Sequence, residues 1–221
     1  MDFSNQSELL HYMKLHLYTA VICDMLDDLG FRNQAMRANI RPMDGGMVIV
    51  GFAKTILSAD VYYKHDHPYE LEIKAVDSIQ PHEVVIAGTN ESTQTGLWGE
   101  LLTTASIMRG ASGAVIDGFI RDSNKIMEMG FPVFCTGFKP VDSKGRSKVI
   151  DYDCPVKVGD VLVYPGDLIF GDRDGIVVIP KEHADKIVEM AMKKVQSENM
   201  TRSELLEGKL LSDVYQKYGI L

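Results

Sequence analysis

The spacing of hydrophobic positions changes several times along the chain, and each change predicts a different element. Leu9, Leu10, Met13 and Leu17, then Val21, Ile22, Met25 and Leu26, recur at helical intervals and predict two short helices between Ser7 and Gly30. Gly30 is placed to stop the second. Gly45-Gly46 opens MVIVGFAKTILSA, a β-branched apolar run that reads as one long strand or two. From residue 83 strand and helix alternate: EVVIAG, a helix from Leu97 to Arg109 with Leu101, Leu102, Ala105 and Met108 on one face, SGAVIDG, a helical turn at Ser123 to Met129, and PVFCTG. That order predicts a parallel α/β layer. VLVYPGDLIFGD and GIVVIP follow, separated by Pro-Gly and Asp-Gly turns that favour antiparallel pairing. Pro180 then opens a long amphipathic helix with Ala184, Ile187, Val188, Ala191 and Val195 facing inward.

The tail from Thr201 to Leu221 is apolar for a terminus, with Leu205, Leu206, Leu210, Leu211, Val214, Tyr215, Tyr218, Ile220 and Leu221. Packing on its own core and docking on a neighbouring subunit both account for it.

Composition narrows the class. With 221 residues and 45% apolar content the chain can bury a sizeable core and is not disordered. A formal net charge of -8, with no basic cluster, argues against a nucleic-acid groove. No apolar run reaches bilayer length and the opening MDFSNQSELL is polar, so no membrane segment or signal is expected. Cys23, Cys135 and Cys154 are an odd, scattered set that suits reduced thiols and a cytoplasmic protein.

Candidate chemistry concentrates in GLWGELLTTASIMRGASGAVIDGFIRD. Gly99-Glu100 precedes Leu101-Leu102 at a helix start, where unpaired N–H groups favour an anion. Arg121-Asp122 follows the strand ending at Asp117, on the side of the sheet where α/β proteins bind ligands. An Arg fork suits a carboxylate or enolate, and Glu100 with Asp122 suits a hard cation. An Arg-Asp dipeptide in a loop is more often a solvated surface pair, and Glu in a first helical turn is ordinary dipole compensation, so on physics alone the bland reading outweighs the catalytic one.

The frame RGASGAVIDGFIRD, with twenty residues between Glu100 and Arg121, resembles the RraA-like family, as does PGDLIFGDRDGIVVIP and, less specifically, DMLDDLG. That family contains class II 4-hydroxy-4-methyl-2-oxoglutarate/4-carboxy-4-hydroxy-2-oxoadipate aldolases and the regulator of ribonuclease E activity A. The resemblance covers roughly residues 20 to 221. It implies one domain over residues 1–221, an α/β/β layered sandwich with a mixed sheet, residues 181–221 forming a C-terminal helical tail. It also implies a homo-oligomer, a trimer or a dimer of trimers (a hexamer).

By the same resemblance, Arg121 would bind a 2-oxo acid and stabilise the pyruvate enolate, and Asp122 would help hold Mg2+ or Mn2+ through bound waters. The amides at Leu101 and Leu102, next to Gly99, would take the substrate carboxylate. Trp98, read from its position alone, flanks this pocket and is a candidate substrate wall, although an ordinary core aromatic is the commoner reading. Glu100 stands where the aldolases carry Asp. Glu198 is the counterpart of an acidic residue supplied by an adjacent subunit. The implied reaction is metal-dependent release of pyruvate from a 4-hydroxy-2-oxo acid, with a metal-polarised water oriented by Glu100 or Glu198 as base. Oxaloacetate decarboxylation through the same enolate is the expected side activity. The motif lacks a lysine for a Schiff base, Lys125 being the nearest.

The alternative is a non-catalytic, protein-binding regulator of the ribonuclease regulator type; the tail carrying Glu198 favours the enzyme. His65 and His67 could bind a transition metal but lack a third ligand and read as a polar loop. Asp117 reads as a metal neighbour or a turn former, and Asp172, Asp174 and Gly175 as a turn.

Overall fold

The computed structural model describes residues 5–219, so Ile220 and Leu221 of the apolar tail lie outside the described residues. Both N-terminal helices form, α1 (Gln6–His16) and α2 (Thr19–Asp28). After β1 (Arg41–Pro42), the apolar run becomes one strand, β2 (Ile49–Asp60). Then come α3 (Glu70–Asp77), β3 (Glu83–Gly88), β4 (Gly96–Trp98), α4 (Glu100–Met108), β5 (Gly113–Ile116), β6 (Phe119–Ile120), α5 (Ser123–Glu128), β7 (Val133–Cys135) and β8 (Gly137–Phe138). The remainder is β9 (Ser147–Tyr152), β10 (Val156–Val158), β11 (Val161–Val163), β12 (Leu168–Asp172), β13 (Gly175–Ile179), a 3-10 turn, α6 (Ala184–Leu206) and α7 (Leu211–Tyr218).

The main sheet is mixed, in the order β1-β7-β5-β3-β2-β12-β13, with β9 also on β2. β2 is long enough to serve three neighbours. It runs parallel to β3 along one edge, while β12 and then β9 lie antiparallel along the other.

Alternation along the strands sorts the core into layers. Val85, Ala87, Ala114 and Ile116 face a cluster that includes residues of α3 and α5. Val50, Leu168, Phe170 and Val177 face the cluster built with α1, α2 and α6. The intervening residues, Ile49, Val84, Ile86, Val115 and Ile169, point the other way, onto the β10–β11 hairpin. Helices on one face and a hairpin on the other make the α/β/β arrangement, and every layer boundary is set by a period of two in the sequence.

The DRDG turn has a structural role. Asp172 accepts hydrogen bonds from Thr19 N at 2.9 Å and Thr19 Oγ1 at 2.7 Å, capping α2 from across the molecule. Its Oδ1 also accepts from Asp174 N at 2.9 Å. Pro180 precedes the 3-10 turn, and Ile187, Val188 and Ala191 of α6 are buried as expected.

Two expectations are corrected. The stretch from Leu97 to Arg109 is not one helix: Gly96–Trp98 pairs with β6 as a strand, and the helix begins at Glu100. Nor is the apolar face of α4 the buried face, because Thr103 and Ser106 are buried while Leu101 and Met108 are 74% and 78% exposed. Trp98 Nε1 donates to Thr103 Oγ1 at 2.8 Å, and that hydroxyl donates to Gly99 O at 3.0 Å, so a polar threonine is satisfied in the core side of the helix. The tail folds back as α7 on α6. Val214 is buried, and Lys217 and Tyr218 both bond Glu204, yet Leu206, Leu210, Leu211 and Tyr215 remain exposed.

Candidate active site

Three short parallel strands, β4, β6 and β8, form a second small sheet beside the main one. Arg121 therefore follows β6, not the strand that ends before Asp117. The pairing of β4 with β6 brings the Gly99-Glu100 turn against the Arg121-Asp122 turn, and glycine is needed for that approach. A Cβ on Gly99 would lie 2.8 Å from Asp122 Oδ2 and 3.2 Å from Arg121 Cγ. Asp122 is left-handed, at φ 58 and ψ 29, a conformation that Asp and Asn tolerate better than other side-chain-bearing residues. In this pose its Oδ2 accepts from Glu100 N at 3.2 Å and sits 3.7 Å from Arg121 Nε.

These turns open on a cleft of about 370 Å3 lined by Gly99, Glu100, Leu101, Leu102, Arg121 and Asp122, together with Tyr69, Glu72, Asp142, Ser143 and two apolar neighbours. Gly99 caps α4 without a side chain, so the amides of Leu101 and Leu102 fall in a first turn that has no carbonyl of its own to bond. Of the residues singled out from sequence, Gly99, Glu100, Leu101, Leu102, Arg121 and Asp122 thus converge.

Two do not. Trp98 is 2% exposed, its indole N–H already satisfied, and it lies in the core rather than on the cleft wall. Glu198 is on α6, outside the cleft of its own chain, and accepts a hydrogen bond from the Tyr18 hydroxyl. Burial and Glu198 together push the Tyr18 hydroxyl up to about 12.

Sequence reasoning passed over three groups on the cleft. Asp142 lies 3.2 Å from Arg121 Nη1 and accepts from Tyr69 OH at 2.6 Å and Lys144 N at 3.2 Å. Burial raises the Asp142 carboxyl, but the hydrogen bonds from Tyr69 and Lys144 together with Arg121 outweigh it and hold it below the usual range. Tyr69 is raised to about 12 by burial and Asp142. Glu72 is 9% exposed, and burial, reinforced by Asp142 and opposed by Arg121, moves its carboxyl from 4.5 to about 7. The only early signal was the run Glu70-Leu71-Glu72-Ile73-Lys74-Ala75-Val76 after Pro68, whose Glu70–Lys74 spacing supports a helix.

For a metal, the cleft offers Glu100 and Asp122, two hard oxygen donors that suit Mg2+ or Mn2+ retaining most of their water. No cluster of three or more His, Cys, Asp and Glu side chains suited to a metal occurs among the described residues, so His65 and His67 gain no third ligand. A larger cleft of about 600 Å3 lies near Phe31 and Lys181, but its buried Asp167 is spent on the backbone N–H groups of Tyr164 and Lys181.

A family model described as RraA-like, Aldolase/RraA, matches residues 19–178. The chain is 28% identical over 200 residues to Protein DlpA of Legionella pneumophila, covering 90% of this chain but only 32% of that protein. It is 29% identical to a "Putative 4-hydroxy-4-methyl-2-oxoglutarate aldolase" of Halalkalibacterium halodurans, covering 88% of this chain and 87% of the relative. Among solved structures, Streptomyces coelicolor RraAS2, titled an unusual member of the RNase ES inhibitor RraA protein family, superposes with a TM-score of 0.81. That match is 30% identical and covers 90% of this chain and 98% of RraAS2.

Proposed function

Because the chain belongs to the RraA-like family, we propose that it is a pyruvate-releasing carbon–carbon lyase, a divalent-metal-dependent class II aldolase acting on a 4-hydroxy-2-oxo acid such as 4-hydroxy-4-methyl-2-oxoglutarate. The observation that carries this reading is the convergence of Arg121, Glu100, Asp122 and the open first turn of α4 on one cleft. In this reading the Leu101 and Leu102 amides bind the substrate carboxylate, oriented by the dipole of α4. Arg121, held by Asp142, places positive charge where the enolate oxygen develops. Glu100 orients the water that takes the hydroxyl proton. A divalent cation held through Asp122 and Glu100 would supply further positive charge against the enolate. Oxaloacetate, which yields the same enolate on losing carbon dioxide, is the expected second substrate.

Glu198, being outside its own cleft, would serve only a neighbouring copy, which fits a trimer or a dimer of trimers. The three cysteines are free, in keeping with a cytoplasmic protein, and no described helix is long and apolar enough to cross a membrane. The regulator-type reading keeps one specific support, the exposed Leu101 and Met108 of α4, which offer a protein-binding face.

The test is pyruvate release, coupled to lactate dehydrogenase, from 4-hydroxy-4-methyl-2-oxoglutarate and from oxaloacetate, with Mg2+, with Mn2+ and with EDTA. Metal-dependent release from the hydroxy acid is expected. No pyruvate under any condition would replace the enzyme with the regulator.

A further inference from the structure

We propose that Glu72 is the proton donor that converts the enolate into pyruvate, delivering its carboxyl proton to the carbon freed by bond cleavage. The inference rests on the lyase reading above and adds to it the step that the residues considered so far leave without a donor. Arg121 carries no proton it can release near neutral pH. Asp142 is ionised and fastened to Arg121, Tyr69 and a backbone amide. Glu72 shares the cleft wall with both, is 9% exposed, and has no hydrogen bond to its carboxyl among the described residues. A buried carboxyl is normally satisfied; one left open on a cleft, beside a second carboxyl held ionised, has the arrangement that separates acid from base in two-carboxylate sites. Its value near 7 keeps both protonation states available at physiological pH.

The surroundings are accounted for from each side. Arg121 and Asp142 act on Glu72 directly. Tyr69 is the N-cap of α3, Glu100 and Asp122 line the same cleft, and β9, packed on α3, carries Lys148, Asp151 and Tyr152.

The step balances. The C3–C4 bond of the 4-hydroxy-2-oxo acid breaks, its electron pair remains on C3 and delocalises onto the C2 oxygen, and C4 becomes a carbonyl as its hydroxyl proton passes to water. Glu72 then gives its proton to C3, forming the methyl group of pyruvate, and the carboxylate is recharged by the proton the hydroxyl released. With oxaloacetate, the C3–C4 bond breaks and C4 leaves as carbon dioxide, the same transfer to C3 follows, and the Glu72 carboxylate is recharged by a proton from solvent.

Run backwards, the step makes Glu72 carboxylate remove a methyl proton from pyruvate, so deuterium exchange isolates it from bond cleavage. Proton NMR of pyruvate in D2O with Mg2+ and the intact protein measures it. For wild type, exchange is expected to rise with pH through about 7, as the carboxylate forms. Glu72→Gln is expected to slow exchange by about a hundredfold, while calorimetric binding of oxalate, an enolate mimic, stays within about threefold because Arg121 and the α4 amides remain. Exchange in Glu72→Gln within about threefold of wild type would overturn the assignment while leaving the lyase reading intact. Should that variant fail to fold, a wild-type exchange rate flat across neutral pH would overturn it instead. A wild type that neither exchanges pyruvate nor releases it from either substrate would remove the lyase reading itself.

Discussion

Arg37 and Arg121 each meet aspartate near the end of a parallel strand, yet their surroundings differ in what they leave unspent. Arg37 is surrounded: Nη1 lies 2.6 Å from Glu91, Nη2 3.1 Å from the buried Asp117, and Nε 3.2 Å from Asp160. Burial raises the Asp117 carboxyl and Arg37 only partly offsets this, so the cluster is an internal compensation of charge. Arg121 has Asp142 at 3.2 Å, a longer contact of 3.7 Å to Asp122, and no ion pair to Nη2 among the described residues. Residue types are nearly the same in both. What sets Arg121 apart from Arg37, and supports the role proposed for it, is the unfilled part of its guanidinium fork and the cleft in front of it.

The largest expected effect breaks the second cluster. Arg121→Ala should lower pyruvate release by about 10²–10³-fold or more, with a urea midpoint close to wild type, since the side chain is 36% exposed. Near-normal turnover would erase the distinction. The mirror experiment, Arg37→Ala, leaves Asp117 buried without its cation and should cost about 3 kcal/mol of folding stability in urea titration. Its specific activity, measured below the unfolding transition, should be that of wild type.

Next comes a carboxyl whose burial Arg121 offsets only in part. Folded Glu72 holds its proton up to about 7, whereas the unfolded chain releases it near 4.5. Its contribution to stability is therefore complete below 4.5 and is lost as pH rises to about 7. Glu72→Gln should remove that decline and leave the variant more stable than wild type at pH 8 by about 2 kcal/mol, a discounted figure from 1.36 kcal/mol per pKa unit. Equal stabilities at pH 8 would show that Glu72 ionises without penalty. The smallest effect is expected at Trp98. Trp98→Phe loses the bond to Thr103 and some volume, costing about 1–2 kcal/mol of stability, with KM unchanged because the ring does not reach the cleft. A raised KM would return Trp98 to the wall.

Most of the fold was legible because its elements obey a simple period. The strands β3, β5, β12 and β13 and the inward face of α6 follow directly from spacing. The cleft was only half legible. Arg121, Asp122 and the Gly99 turn sit in a local motif, whereas Asp142 reaches Arg121 from a distant loop and carries no local signal. Glu72 was invisible for a deeper reason: a glutamate within Glu70–Asp77 reads as a solvated position, and its burial arises only when α3 packs on β9 and α4. The misplaced face of α4 has a related cause. Thr103 can go inward because Trp98 and Gly99 satisfy its hydroxyl, a compensation that hydrophobic spacing cannot express.

The reach of β2 has a consequence for how the protein is made. Phe52 pairs with Glu83 on one side and with Leu168 on the other, while Ser58 lies opposite Val149. On the ribosome, β2 emerges long before β9 and β12 have been synthesised, so one edge of the central strand must wait unpaired while most of the chain is still being translated. Such deferred, long-range closure slows folding and exposes an apolar edge meanwhile. Nascent chains stalled before Leu168 should accordingly be held by chaperones or digested by protease, and protection should come abruptly once β12 has cleared the exit tunnel.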